Sequence, residues 1–362
     1  MLVKCFGAAV QGINATVVTI EVNVSQGIKF FLVGLPDSAV RESRERILSA
    51  LTHNKYKFPR QQVIINMAPA DIKKEGSSYD LPLAMGMLAG NGQINSDKLE
   101  HYIIMGELSL DGSILPIKGA LPIAIMAKEE GFTHVQIATN GLRLARKEEL
   151  ARDLKEAGCN TIYLAFDGVT PEPYINNRGK DLLQFKLDAI ENCRKAGLGV
   201  VLVPTLIKGI NDHQVGDIIK FAFDNNDIIY GVNFQPVSFA GRTPSDQVEK
   251  QRITIPDFIQ IIEDQTDGDV KTTDFYPPSS VEPIAKFIGA LEGGEPTVTL
   301  NCHQHCGIAT YVFREKTEGS GKDKLIPIND FIDVDGLFKK LDELAEKLKK
   351  GGFGRKQRVL AS

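Results

Sequence analysis

Cysteine is scarce in this sequence, long apolar runs are missing, and neither sign of charge dominates. Five cysteines in 362 residues are too few for a disulfide framework, so reduced thiols or metal ligands are expected. No stretch approaches the roughly 18 apolar residues of a membrane helix. The strand-like sequence after Met1 carries no signal-peptide pattern, which makes the cytoplasm the expected location. The net charge of −4 gives bulk electrostatics no case for nucleic-acid binding. What is present, 43% hydrophobic and 24% charged residues, describes a soluble globular chain. At about 100–200 residues per domain it has room for two or three.

Residues 115–141, LPIKGALPIAIMAKEEGFTHVQIATNG, are the stretch on which the organisation turns. Leu121, Ile125 and Met126 fall at helical spacing within 118–131, and Gly131 suits a left-handed cap. Residues 132–139 read as a buried strand ending in the turn pair Asn140-Gly141.

Before this stretch the pattern is α/β with a mixed sheet. Residues 17–24 and 28–33, with Gly27 between them, predict a hairpin. Pro36-Asp37-Ser38 starts a helix over 39–51 that places Val40, Ile47 and Leu51 on one face and Arg41, Glu42, Arg44 and Glu45 outward. Residues 63–67 form a short buried strand, 73–78 (KKEGSS) a polar loop, and 79–89 an apolar helix with Pro82 in its first turn. Asp111-Gly112, between 103–108 and 114–116, is the strongest hairpin signal.

Three strings in this part, FFLVGLPDSAVRESRERI, INMAPADIKKEGSSYDLPLAMGMLA and GELSLDGSILPIKGALPIA, closely resemble the amino-terminal domain of the magnesium-chelatase-like ComM/YifB family. The resemblance covers residues 1–131 and implies a Lon-protease-like α/β fold that precedes an AAA+ ATPase and is linked to DNA processing. No G-x4-G-K-S/T occurs here, so no ATP site is expected; the Gly-rich 351–355 lacks the Lys-Ser/Thr that handles phosphate and Mg²⁺. The Lon likeness draws attention to Gly76-Ser77-Ser78 as a nucleophile loop, but the matching base position holds Leu121, and Lys118 reads as a loop charge. Arg41, Arg44 and Arg46 offer a weak DNA contact against the plainer reading of a solvated helix face.

After the stretch, strands and helices alternate through residue 242, which implies parallel βα units, doubly wound or part of a barrel. Asn140, Asp167, Thr205, Asn211 and Gln235 collect at strand carboxyl ends, where parallel folds bind ligands, although turn chemistry explains polar residues there as well. ATNGLRLAR, YLAFDGVTPEPY, VVLVPTLIKGIND, FQPVSFAGR, DFYPPSSVEP and CHQHCGIATYVF resemble the later strands of a radical SAM barrel. The likeness is to the archaeal group of tetraether lipid synthases and radical SAM methyltransferases, over residues 131–313. It implies S-adenosyl-L-methionine and a 4Fe–4S cluster, with Asn140, Asp167, Thr205 and Gln235 lining the SAM face, and a small-molecule or lipid substrate.

The family's C-x3-C-x2-C, three thiolates that leave one iron open for SAM, is absent, and so is its glycine-glycine-acidic motif; Gly293-Gly294-Glu295 copies those letters only in a late loop. Cys302 and Cys306 are the candidate metal ligands, suited to an auxiliary iron site or Zn²⁺, with His303 and His305 between them. Cys159 and Cys193 read as plain core or surface thiols.

These readings combine into a chimera with three parts. Residues 1–131 form a ComM-type domain without its ATPase, 131–313 a radical SAM barrel without its first strands, and 314–362 an amphipathic helix and tail. Within the stretch 115–141, residues 127–135 (AKEEGFTHV) would pass for either parent, as a recombination or assembly join would. No catalytic residue is assigned, and the radical SAM chemistry of C–H activation is expected to be inactive as written. The alternative is a non-enzymatic interaction module beside an AAA+ ATPase or DNA; a missing half-barrel or AAA+ module in another chain is the partner these gaps imply. In the tail, Ile332, Leu337, Leu341, Leu344 and Leu348 share one face of a docking helix over 330–350.

Overall fold

The computed structural model describes residues 1–362 except 13, 97, 98, 116, 133, 238, 240–244, 293–306, 316–322 and 350–362. Cys302, Cys306 and the Gly-rich 351–355 therefore lie outside the described residues, as does Gly293-Gly294-Glu295.

The first sheet has the order β1-β2-β4-β3, built from Leu2–Gln11 (β1), Asn14–Ser25 (β2), Phe30–Val33 (β3) and Gln62–Ala68 (β4). The expected hairpin between residues 17–24 and 28–33 does not form. β2 pairs antiparallel with β1 and β4, and β4 separates it from β3, which runs parallel to β4. The β3-to-β4 connection is a crossover, made by Ser38–Arg41 (α1) and Ser43–His53 (α2). The single helix expected over 39–51 is thus broken at Glu42. Asp37 caps α1, its Oδ1 accepting from the Val40 amide at 2.8 Å.

Alternation works as anticipated on the inner face: Val18, Ile20, Val22 and Val24 of β2 and Val63, Ile65 and Met67 of β4 are buried. They pack with Val40, Ile47 and Leu51 and with the helix Asp80–Gly90 (α3) as one core. Gly86 and Gly90 of α3 let it approach β2 closely, since a Cβ on either would lie 2.6 or 2.8 Å from Val22 or Val24. The Asp111-Gly112 turn joins Glu107–Leu108 (β5) to Ile114–Leu115 (β6), with Gly112 at φ +87.

Ala120–Glu129 (α4) follows, inside the expected 118–131. Its buried residues are Ala124, Met126 and Ala127, whereas Ile125 is 40% exposed. Val135–Thr139 (β7) is not the buried strand the sequence suggests: Gln136 and Ala138 are exposed, because β7 is an edge. It opens a parallel sheet of order β11-β9-β8-β7, whose other strands are Cys159–Ala165 (β8), Gly199–Val203 (β9) and Ile229–Val232 (β11). Leu142–Arg146 (α5) and Glu148–Glu156 (α6) connect β7 to β8, and Glu172–Arg178 (α7) and Leu183–Ala196 (α8) connect β8 to β9. Thr205–Leu206 (β10), Val215–Asp224 (α9), Gln235–Pro236 (β12) and Ser245–Gln251 (α10) extend the alternation. The architecture is α/β with a parallel βα sheet of this length.

The contacts divide the chain into two compact units. One holds 1–205 with 224–251, and the other 206–223 with 252–362. Within the first, α4 touches β1 and β2 of the antiparallel part and also β7 and α6. In the second, Ile255–Gln265 (α11) starts with a capping box from Thr254 and Asp257. Glu282–Glu292 (α12) packs against Val334–Lys349 (α13), and Val312–Glu315 (β13) pairs with Lys324–Pro327 (β14). The tail helix buries Val334 and Ala345 and half-buries Leu337, Leu341, Leu344 and Leu348, while Ile332 lies outside it and exposed. Among the described residues, no helix is long and apolar enough to cross a membrane.

Candidate functional site

The carboxyl ends of β7, β8 and β9 carry three of the four residues read as a ligand face. Asn140 follows β7, Asp167 follows β8 and Thr205 opens β10 directly after β9; Gln235 opens β12. Parallel strands put these ends together because each crossover returns the chain to the same edge.

Asn140 is exposed, and its Oδ1 accepts from the Leu142 amide at 3.2 Å. Gly141 then starts α5 at φ +79, where a Cβ would lie 2.5 Å from Leu164 Cδ1. Only glycine meets both conditions without displacement. Asp167 is 1% exposed. Its Oδ2 faces Arg178 Nε at 3.0 Å and Asn177 Nδ2 at 3.4 Å, and its Oδ1 accepts from the Thr205 amide at 3.3 Å. Asp167 and Thr205 are therefore bonded directly. Gln235 is exposed and joins through its backbone, the amide donating to the Pro204 carbonyl at 2.9 Å. Asn211 is buried, its Oδ1 occupied by the Ile207 amide at 2.8 Å, a loop-stabilising role.

Sequence reading missed the groups that support these ends from below. Tyr174 of α7 is fully buried and donates to the Gly168 carbonyl at 2.8 Å. Burial raises its hydroxyl well above the ordinary range. Lys186 of α8 is 2% exposed; its Nζ donates to the Asn140 carbonyl at 2.5 Å and lies 6.0 Å from the Tyr174 ring centre. Burial pulls its ammonium down to about 8, with Asp167 opposing and Arg178 adding to the shift. Nothing local marks Lys186: in LQFKLDAIENCRKA it looks like one more helix-surface cation.

The three described cysteines are not ligands in waiting. Cys5, Cys159 and Cys193 are buried, and burial pushes their thiols up to about 12, 11 and 12. Among the described residues, no group of three or more His, Cys, Asp or Glu side chains is arranged to hold a metal ion.

In the first sheet's domain the GSS loop forms a short turn, with the Gly76 amide bound to Asp37 Oδ2 at 3.1 Å. Lys74, read as part of a polar loop, is instead fully buried; its Nζ donates to the Pro69 carbonyl, and burial lowers its pKa. Two of the three arginines read as a weak DNA contact have partners within the chain. Arg46 binds Asp80 through Nε at 2.6 Å and Nη2 at 2.8 Å, and Arg44 sits 5.7 Å over both Phe30 and Phe58. The Asp80 carboxylate raises the Arg46 pKa.

Comparison with known families matches two overlapping segments of the chain. The family of subunit ChlI of Mg-chelatase matches residues 20–140, and the radical SAM superfamily matches 99–222. The chain is a fusion of a ChlI/ComM-like domain with a radical SAM domain. The two matches overlap over 99–140, the segment that includes α4 and β7. Among individual proteins, the fusion is 48% identical over 236 residues to a 7,8-dihydro-6-hydroxymethylpterin dimethyltransferase of Methanocaldococcus jannaschii. That alignment takes in 65% of the fusion and 45% of the relative. It is 41% identical over 124 residues to the uncharacterized protein YifB of Escherichia coli, covering 34% and 24%. To the competence protein ComM of Haemophilus influenzae it is 39% identical over 134 residues, covering 37% and 26%. The fusion thus spans less than half the length of each of these relatives.

Proposed function

We propose that this fusion presents an adenosyl-ligand face on a radical SAM-type sheet but does not hold the 4Fe–4S cluster, so that it binds without generating a radical. The cysteine inventory carries the reading. A site-differentiated cluster needs three thiolates on one loop, and the sequence has no C-x3-C-x2-C. Cys5, Cys159 and Cys193 are buried thiols, protonated at neutral pH and placed on β1, β8 and α8. Cys302 and Cys306 supply two sulfurs, enough for an auxiliary metal but one short of this cluster. The donor set does not fit the group.

The ligand face fits better. Asn140, Thr205 and Gln235 offer amide and hydroxyl groups of the kind that bind ribose, adenine and an amino acid, and buried Asp167 holds the Thr205 end in place. The pterin named in the archaeal relative's activity supports a small molecule as the second ligand. The domain boundaries we adopt are 1–131 for the ComM-like part, 131–313 for the radical SAM part and 314–362 for the helix and tail.

A second reading is favoured by the outer edge of β7, which pairs with no other strand among the described residues. An unpaired parallel edge is where further barrel strands from another chain would add, making the fusion one half of an assembly. The ComM-like domain would then be a non-enzymatic docking module for an AAA+ ATPase.

Anaerobic reconstitution with iron and sulfide tests the proposal. We expect far fewer than about four irons per chain, no absorbance near 400 nm, and no 5′-deoxyadenosine, with S-adenosyl-L-methionine binding retained in calorimetry. Stoichiometric iron with SAM cleavage would overturn it.

A further inference from the structure

The ligand face gives no task to Lys186. The residue occupies the first turn of α8, where a cation is disfavoured twice: burial removes water from the ammonium, and the helix amino terminus is itself partially positive. An apolar side chain of the same length would pack there at lower cost. What the ammonium gains is specific. It binds the Asn140 carbonyl at 2.5 Å, it lies over the Tyr174 ring, and Asp167 attracts it. Tyr174 fixes Gly168, and Asp167 fixes Thr205. One buried charge is thereby coupled to the ends of β7, β8 and β9.

We propose that Lys186 is a positioning residue whose ammonium holds the Asn140 carbonyl and so fixes the turn from which Asn140 meets an adenosyl ligand. The part concerning the ligand rests on the adenosyl reading above. Lys186 does not touch the ligand; it acts through the backbone of Asn140 and Gly141. The groups that face it are Asp167 from the end of β8 and Tyr174 and Arg178 from α7. From α5, which packs on α8, Arg146 is turned onto Phe185 at 5.5 Å. Because Lys186 titrates near 8, the hold is charged at neutral pH and weakens as pH rises through that value.

The test uses the full-length chain with nitrogen-15 labelling. The Gly141 amide nitrogen, which follows the Asn140 carbonyl, is monitored from about pH 6.5 to 9.5 in the wild type, Lys186→Met and Lys186→Arg. Calorimetry with S-adenosyl-L-methionine is run on the same proteins near neutral pH. We expect the wild-type Gly141 shift to move with a midpoint near 8 and the movement to vanish in Lys186→Met. SAM binding should weaken about tenfold or more in Lys186→Met, the scale of a lost charge-assisted hydrogen bond, and recover in Lys186→Arg. A flat wild-type titration, the same titration in Lys186→Met, or undiminished SAM binding by Lys186→Met would overturn the assignment. Should Lys186→Met not fold, the wild-type titration and Lys186→Arg decide. Should the wild type bind no SAM, the adenosyl reading falls, and the Gly141 titration alone decides whether Lys186 holds the turn.

Discussion

Arg46 and Asp80 meet in a two-pronged ion pair, Nε to Oδ2 at 2.6 Å and Nη2 to Oδ1 at 2.8 Å, with the Asp80 side chain fully buried. The same guanidinium donates to the Ala39 carbonyl at 2.7 Å, and Asp80 also accepts from the Leu108 amide at 3.3 Å. Four segments, α1, α2, α3 and β5, are tied at one point. Removing one partner leaves the other charge buried alone, so Arg46→Met should cost roughly 3–5 kcal/mol. Arg41→Ala, on an exposed residue, should stay within about 0.5 kcal/mol. Urea unfolding of both variants checks the contrast.

Lys186 gives a stability prediction with a definite sign. Its folded pKa is near 8 and its unfolded value near 10.5, so between these values the unfolded chain binds more protons and stability rises with pH. Below 8 the buried charge costs on the order of 3 kcal/mol. Lys186→Met should therefore unfold at a higher temperature than the wild type at pH 7, with the difference shrinking toward pH 10. Melting curves at the two pH values measure it, and a variant less stable at pH 7 would contradict the burial argument.

Gly141 is the position where a single methyl group should do most harm in the parallel sheet. Gly141→Ala combines a φ of +79 with a Cβ 2.5 Å from Leu164 Cδ1 and 3.3 Å from Ala189 Cβ. Strain and overpacking together should cost about 2–4 kcal/mol. Gly131→Ala, at φ +84 but in open space, should cost only the backbone part, about 1 kcal/mol. Denaturation midpoints of the pair separate the two contributions.

Native alkylation at pH 8 followed by peptide mapping should leave Cys5, Cys159 and Cys193 unmodified, since burial keeps these thiols protonated and out of reach. Modification of all three should appear only after unfolding. Rapid labelling of Cys159 or Cys193 in the native chain would show that α8 opens from the sheet.

Much of the local structure was legible. The α4 helix, the Asp111-Gly112 turn, the Asp37 cap and the α/β alternation after residue 141 all rest on short-range chemistry, and all appear. Two kinds of feature did not show. Pairing between distant strands leaves no local mark, so β2 and β3 read as a hairpin although β4 lies between them. Burial of single cations is equally silent: Lys74 and Lys186 have the letters of surface residues yet are buried, Lys74 on the Pro69 carbonyl five residues away and Lys186 on the Asn140 carbonyl brought in by the fold. Ile125 shows the converse, an apolar letter left facing out of a helix whose inner side is made by Ala124, Met126 and Ala127. The position of Asn140, Asp167 and Thr205 at strand ends was visible from alternation, whereas their support from Tyr174, Arg178 and Lys186 was not.

Helix α4 touches β1 and β2 as well as β7 and α6, and it lies in the span matched by both families. Two genes joined through a flexible tether keep separate fates; each half can be cut loose, swapped or lost. Here one helix serves as flooring for the first sheet and as a neighbour of the edge strand of the next. Any insertion of one residue within it would turn its small-residue side, Ala124 and Ala127, about 100° away from one of its two seats. The two sheets are consequently coupled through one helix, whose register cannot shift for one of them without shifting for the other.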